Sequence, residues 1–219
     1  MQYNHKTIEL KKQPTLIEKY NKHFYATPEG NEYPSITTKL SKTKDYSGLN
    51  IWRARVGEGV AKHIMETAAT IGTATHKIIE QYLNNETSNE KLLLPKAHLE
   101  NIKPLLHKID NIHFLEVALF SDEMKTAGTC DCIAEYDGVL SIIDFKTSRK
   151  KKQNAWIQDY FLQGTAYALM YKEMSGLEIK QVVILITGED GSIGEHVVNV
   201  DDYTQPLKEK LAVYTSSVV

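Results

Sequence analysis

Two cysteines, Cys130 and Cys132, are all the thiols among 219 residues, too few for a disulfide scaffold, a four-thiolate zinc site or an iron-sulfur cluster. On an extended strand, residues two apart point the same way, so both read as small buried hydrophobes on one side. Long apolar runs are missing as well. The longest aliphatic stretch, Val182 to Ile186, falls far short of the ~20 residues that cross a bilayer, and no membrane partner is expected. Neither sign of charge dominates: 26 Lys and Arg stand against 28 Asp and Glu, a formal net charge of -2. The sequence has no H-E-x-x-H, no G-x-x-x-x-G-K-[ST] and no G-x-S-x-G, and Gly57-Glu58-Gly59 lacks the third glycine of a dinucleotide fingerprint. Zinc proteases, P-loop enzymes, α/β-hydrolases and dinucleotide enzymes lose their sequence support. From Met1 to Lys6 there is neither a secretory apolar stretch nor an Arg-rich transit character, so a soluble cytoplasmic protein is the expectation.

What is present is ordinary globular usage, 42% apolar and 25% charged, at a length suited to one domain spanning 1–219. Residues 1 to about 50 are polar, are broken by Pro14, Pro28 and Pro34, and read as short elements and loops. Leu49 to Leu83 fits one or two helices, and Lys96 to Ile112 another, with Pro104 marking a kink or a join. The period then becomes that of strands: His113 to Phe120, Ala127 to Tyr136, Val139 to Thr147, Gln181 to Thr187 and Ile193 to Val200, with a helix over Gln153 to Glu173. Interleaving of this kind predicts an α/β fold, a mixed sheet flanked by helices. Residues 1–112 form a mainly helical part, 113–200 a sheet core, and 201–219 a tail.

Asp137-Gly138 between two apolar runs is a strong hairpin signal, because a type I′ turn needs positive φ at both central residues. A two-residue loop there pairs residues whose numbers sum to 275, which sets Ile133 against Ile142 and Asp131 against Asp144. Directly opposed like charges destabilise a ladder, so something should offset them. Lys146 falls on the same face by alternation, and a Mg2+ ion, which takes one or two carboxylates and keeps several waters, suits the pair. Two alternatives stay open: a plain salt-bridged strand end, and a bulge that carries Asp131 to the other face.

Gly128-Thr129-Cys130-Asp131 followed by Asp144-Phe145-Lys146 resembles the signature of the PD-(D/E)XK nuclease superfamily. Gly72 to Glu80, with His76 inside it, resembles the glycine-to-histidine helix motif of the RecB-like branch, and Gln163 with Tyr167 resembles that branch's Q-x-x-x-Y motif. The stretch from Tyr33 to Thr38 and Trp52 to Gly57 is similar to the N-terminal region of phage and mitochondrial genome maintenance exonucleases. The resemblance runs from about residue 33 to about residue 175. It implies a restriction-endonuclease-like core and a Mg2+- or Mn2+-dependent DNA exonuclease without an iron-sulfur cluster. The metal ligands would be His76, Asp131, Asp144 and the Phe145 carbonyl, with Lys146 as the further catalytic group. Glu80 and Glu116 are secondary candidates.

The same resemblance places nucleic-acid contacts at Trp52, Thr147, Ser148, Arg149, Lys150, Lys151, Gln163 and Tyr167. Single-stranded DNA is the implied substrate, covered by the helices of Leu49 to Leu83. A phage setting, with a separate helicase or replication partner, fits the absence of any motor motif. Trp156, Tyr160, Gln163, Tyr167 and Tyr171 form one helical stripe that reads as core, and Gln163 within it is the residue that the resemblance implies helps fix the nucleic acid or the site. Two other readings of the same fold are a silent nucleic-acid-binding module and a structure-specific endonuclease.

Overall fold

The computed structural model describes residues 2–19 and 22–216. The first fifty residues are more ordered than loops: β1 (Thr15–Lys19), β2 (Lys22–Ala26) and β3 (Glu32–Pro34) pair antiparallel in that order. The aliphatic pair Leu16-Ile17 and the aromatic pair Phe24-Tyr25 supply the strand character that the prolines obscured. Ser35 then caps α1 (Ile36–Lys42), its hydroxyl accepting the Thr38 N–H at 3.0 Å. The predicted "one or two helices" are two, α2 (Ser47–Val56) and α3 (Glu58–Leu83). They part at Gly57, whose φ of +87° is open to glycine and strained for other residues. α4 (Leu93–Leu106) keeps Pro104 in its last turn, so the proline does not join two helices.

The main sheet has five strands in sequence order: β4 (Ile109–Ser121), β5 (Thr126–Tyr136), β6 (Val139–Ser148), β7 (Gln181–Gly188) and β8 (Ile193–Asn199). Only β6 and β7 run parallel, and the crossover between them is α5 (Gln158–Ser175). The others pair antiparallel, which gives the mixed sheet flanked by helices that the period predicts. Residues 217–219 of the expected tail lie outside the described residues, and the rest of it is helical: α6 (Val200–Ser216) follows β8 directly and buries Leu207.

Each face of the sheet has its own core. On one side Ile133, Ile142, Val182 and Ile184 pack with Phe161, Tyr167 and Met170 of α5. On the other, Cys132, Ala134, Ile143 and Phe145 pack with Ile79 and Leu83 of α3 and Ile102 and Leu106 of α4. The two-residue loop is present, with φ of 50° at Asp137 and 80° at Gly138, and the ladder pairs Tyr136 with Val139 and Ile133 with Ile142.

The cysteines depart from expectation. Cys130 lies in the α5-side core and Cys132 in the α4-side core, so they point to opposite faces. The cause is a local irregularity where β4 and β5 pair: Leu115 meets Cys132 and Val117 meets Cys130, but Glu116 between them has a left-handed φ of 48°. The alternation of both strands is reset at Glu116 and Asp131.

Candidate active site

The β5–β6 ladder runs from Tyr136↔Val139 to Cys132↔Ile143 and ends one pair before the two aspartates. Asp131 and Asp144 are therefore not a ladder pair, a correction to the register drawn from the turn. Instead Asp131 Oδ2 accepts the Phe145 N–H at 2.9 Å, and the strands fork there. Asp144 and Lys146 continue the face of Ile142 toward α5, while β6 stays paired with β7 through Asp144↔Ile184. Asp131, carried round by the irregularity, lies 3.4 Å from Nδ1 of His76 on α3.

Burial and charge divide the acids. Asp144 has 2% of its side chain exposed and makes no hydrogen bond of good geometry, though Lys146 Nζ stands 2.5 Å from its Oδ2. Burial, then repulsion by Asp131, outweighs the lysine and pushes its carboxyl up to about 6. Asp131 is less enclosed, with 12% of its side chain exposed, and its carboxyl lies below the usual range: the burial penalty is outweighed by His76, the Lys146 charge and the Phe145 N–H. Burial disfavours the His76 imidazolium, but Asp131 reverses the sign and raises it. For Lys146 likewise, burial is overcome by Asp144 and Asp131, and the ammonium is held above its ordinary value.

His76, Glu116 and Asp131 place one ligand atom each within 4.8 Å of one another. His76 and Glu116 also line, with Gly72, Thr73, Lys77 and Glu80, a cavity of about 440 Å³. Partial desolvation, then the Asp131 charge, pushes Glu116 up to about 7. The set suits a hard or borderline divalent cation: imidazole and carboxylates gathered at one point, beside a buried carboxylate that lacks hydrogen bonds. Of the expected ligands, His76 and Asp131 are brought together. Asp144 sits across the fork with Lys146, and Glu116, a secondary candidate, joins the His76 group.

The remaining candidates separate by burial. Tyr167 is buried, with its ring against Gly128 and its hydroxyl accepting from Gln163 Nε2 at 3.2 Å, so it lies beneath the surface rather than on it. Trp156 is 65% exposed in a short 3-10 turn (Asn154–Trp156) ahead of α5, and so leaves the predicted stripe, whereas Tyr171 is core. Tyr160, also in that stripe, instead lays its ring 5.1 Å from Lys146 Nζ. Thr147 and Ser148 end β6; the Ser148 hydroxyl donates to the Lys150 carbonyl at 2.7 Å. Arg149, Lys150 and Lys151 are exposed. Trp52 is half-buried on α2, a helix without buried residues, and Glu80 accepts from Lys77 at 3.3 Å, not from His76.

No protein-family model matches the chain. Mitochondrial genome maintenance exonuclease 1 of Homo sapiens is 30% identical over 177 residues, 74% of this chain and 51% of that protein. The Xenopus tropicalis protein of the same name is 33% identical over 176 residues, 73% and 49% respectively. The chain thus spans about half the length of the curated relatives it matches. A crystal structure described as a "Putative exonuclease" from Eubacterium rectale superposes with a TM-score of 0.50 at 14% identity, covering 69% of this chain and 66% of that one, a likeness of fold. The chain is similar to mitochondrial genome maintenance exonuclease 1 over about half of that protein's length, a likeness consistent with a PD-(D/E)XK-like nuclease.

Proposed function

We propose that this protein is a divalent-metal-dependent DNA exonuclease that acts on single strands from an end. One observation carries the reading: at the β5–β6 fork His76, Glu116 and Asp131 bring ligand atoms within 4.8 Å of one another, with the buried Asp144–Lys146 pair across the fork. The relatives' names, which specify an exonuclease and a genome, support DNA as the polymer.

Asp131, His76 and Asp144 would hold Mg2+ or Mn2+, with Glu116 and the Phe145 carbonyl alongside. When bound, such an ion polarises a phosphoryl oxygen and acidifies a water. Lys146 places positive charge beside that point, where it orients the water and offsets the charge that grows on the phosphate as the new P–O bond forms and the sugar oxygen leaves. Asp144 keeps the ammonium in place, and the Phe145 amide holds Asp131 at the fork. Arg149, Lys150 and Lys151, exposed just beyond β6, offer a track for the following phosphates. Trp52 on the exposed α2 offers a stacking face for a base. A phage or host-cytoplasm setting, with a helicase or replication partner supplied separately, belongs to the same reading.

The test is an assay of end-labelled linear and circular oligonucleotides, single- and double-stranded, with Mg2+, Mn2+ or chelator. Loss of linear single strands with metal, sparing of circles and abolition in D144A and K146A are expected. Cleavage of circles makes the protein an endonuclease, and binding without cleavage makes it a silent module.

A further inference from the structure

We propose that Tyr160 is a positioning residue for Lys146: its ring face, with Asp144, fixes where the ammonium stands in the nuclease centre proposed above, and the inference rests on that reading. Lysine is a flexible four-carbon stem carrying a compact charge, and it needs more than one anchor to be held at a point. Lys146 has two. Its Nζ is 2.5 Å from Asp144 Oδ2 on its own strand and 5.1 Å from the centroid of the Tyr160 ring on α5. That separation is within reach of a cation–π attraction, which strengthens where water is excluded, and 20% of the Lys146 side chain is exposed.

The mount of the ring is rigid. Tyr160 lies in the first turn of α5, its N–H bonded at 2.9 Å to the carbonyl of Ile157, which is itself buried in the α5-side core. The charged groups around Nζ are Asp144 on β6, Asp131 on β5 and His76 on α3. All three are the donors that a divalent cation would draw on. Charge that a metal takes from Asp144 and Asp131 is charge no longer holding the lysine, whereas the ring is untouched by metal. With the centre loaded, Tyr160 becomes the anchor that keeps the ammonium from swinging into solvent.

The experiment compares wild type with Y160L, Y160F and Y160W, each checked for an unchanged melting temperature. Three readouts are taken: turnover on end-labelled single-stranded DNA with Mn2+, Mn2+ affinity by calorimetry, and the shift of the Lys146 ε-protons with saturating Mg2+. In wild type the ring should shift those protons upfield. We expect Y160L to lose the shift and about tenfold in kcat, with KM and Mn2+ affinity held, and Y160F and Y160W to restore both the shift and most of the turnover. Equal kcat in Y160L and wild type overturns the inference, as does Y160F failing as badly as Y160L. If wild type cleaves no DNA, the nuclease reading is what fails. The ε-proton shift still decides the placement, and unshifted protons in the Mg2+-loaded wild type overturn it.

Discussion

Asp131 Oδ2 accepts the Phe145 N–H at 2.9 Å, so a side chain takes the place of the next rung where β5 and β6 fork. An amide needs a partner when buried, and this carboxylate is both that partner and one of the group that includes His76. The two roles are separable. D131N retains an acceptor for Phe145 and should lose less than about 1 kcal/mol of stability, while D131A leaves the amide unpaired and should lose about 1–3 kcal/mol. Both should lose Mn2+ affinity. Urea melts and calorimetry check this, and D131N binding Mn2+ like wild type removes Asp131 from the ligand set.

Metal affinity should climb with pH. In the metal-free protein Asp144 and Glu116 hold protons up to about 6 and about 7, both raised chiefly by burial. A cation binds the deprotonated forms and must displace those protons. Affinity therefore rises through that window and levels off above it. Titrations in buffers of different ionisation enthalpy should show proton release at pH 6.5 and little at pH 8.5.

Lys39 predicts a second pH effect, on stability. Burial, then the nearby Lys125, lowers its ammonium to about 8, although Nζ donates to the Met124 carbonyl at 2.9 Å. Between that value and the ordinary 10.5 the unfolded chain binds the extra proton, so stability rises with pH across the window. The gain is roughly 2–3 kcal/mol. Chemical melts at pH 7.5 and 10 test it, and in K39M the increment should vanish.

Gly164 is where α5 meets the sheet. A Cβ there would stand 2.3 Å from Val182 Cγ1, which leaves no room for even the smallest side chain. G164A should cost about 1–3 kcal/mol by overpacking, and V182A should recover part of it in the double variant. At Gly128 a Cβ would come 2.8 Å from the Tyr167 ring, so G128A should lower turnover as well as stability, by displacing a tyrosine that backs the two acids.

If Arg149, Lys150 and Lys151 follow the phosphates, replacing all three by alanine should weaken binding of single-stranded DNA uniformly across sequences. The salt dependence of log K should fall by about 0.7 for each phosphate that is no longer neutralised. Filter binding between 50 and 200 mM salt measures the slope. An unchanged slope places the phosphate track elsewhere.

Much of this centre was legible in the chain because local rules carried it. Asp137-Gly138 determines its own turn, the turn sets the register as far as Ile143, and alternation then assigns Ile133 and Ile142 to one core and Cys132 and Phe145 to the other. What failed is what alternation cannot see. Nothing in the sequence marks Glu116 as left-handed, so the reset that sends Cys130 and Cys132 apart, and turns Asp131 toward His76, had no signature. The ring of Tyr160 over Lys146 joins a helix to a strand fourteen residues back and is a product of tertiary packing; spacing showed only that Tyr160 shares a stripe with Gln163 and Tyr167. The strands β1 to β3 were hidden because polar, proline-broken segments carry little period, and α6 because its buried residues are few.

The left-handed backbone at Glu116 has an evolutionary corollary. Glycine and asparagine relax most easily into that conformation, while the chemistry of the neighbouring imidazole favours an acid. Backbone strain and cation binding would thus favour different residues at a single codon: under selection for robustness alone the position should drift to Gly or Asn.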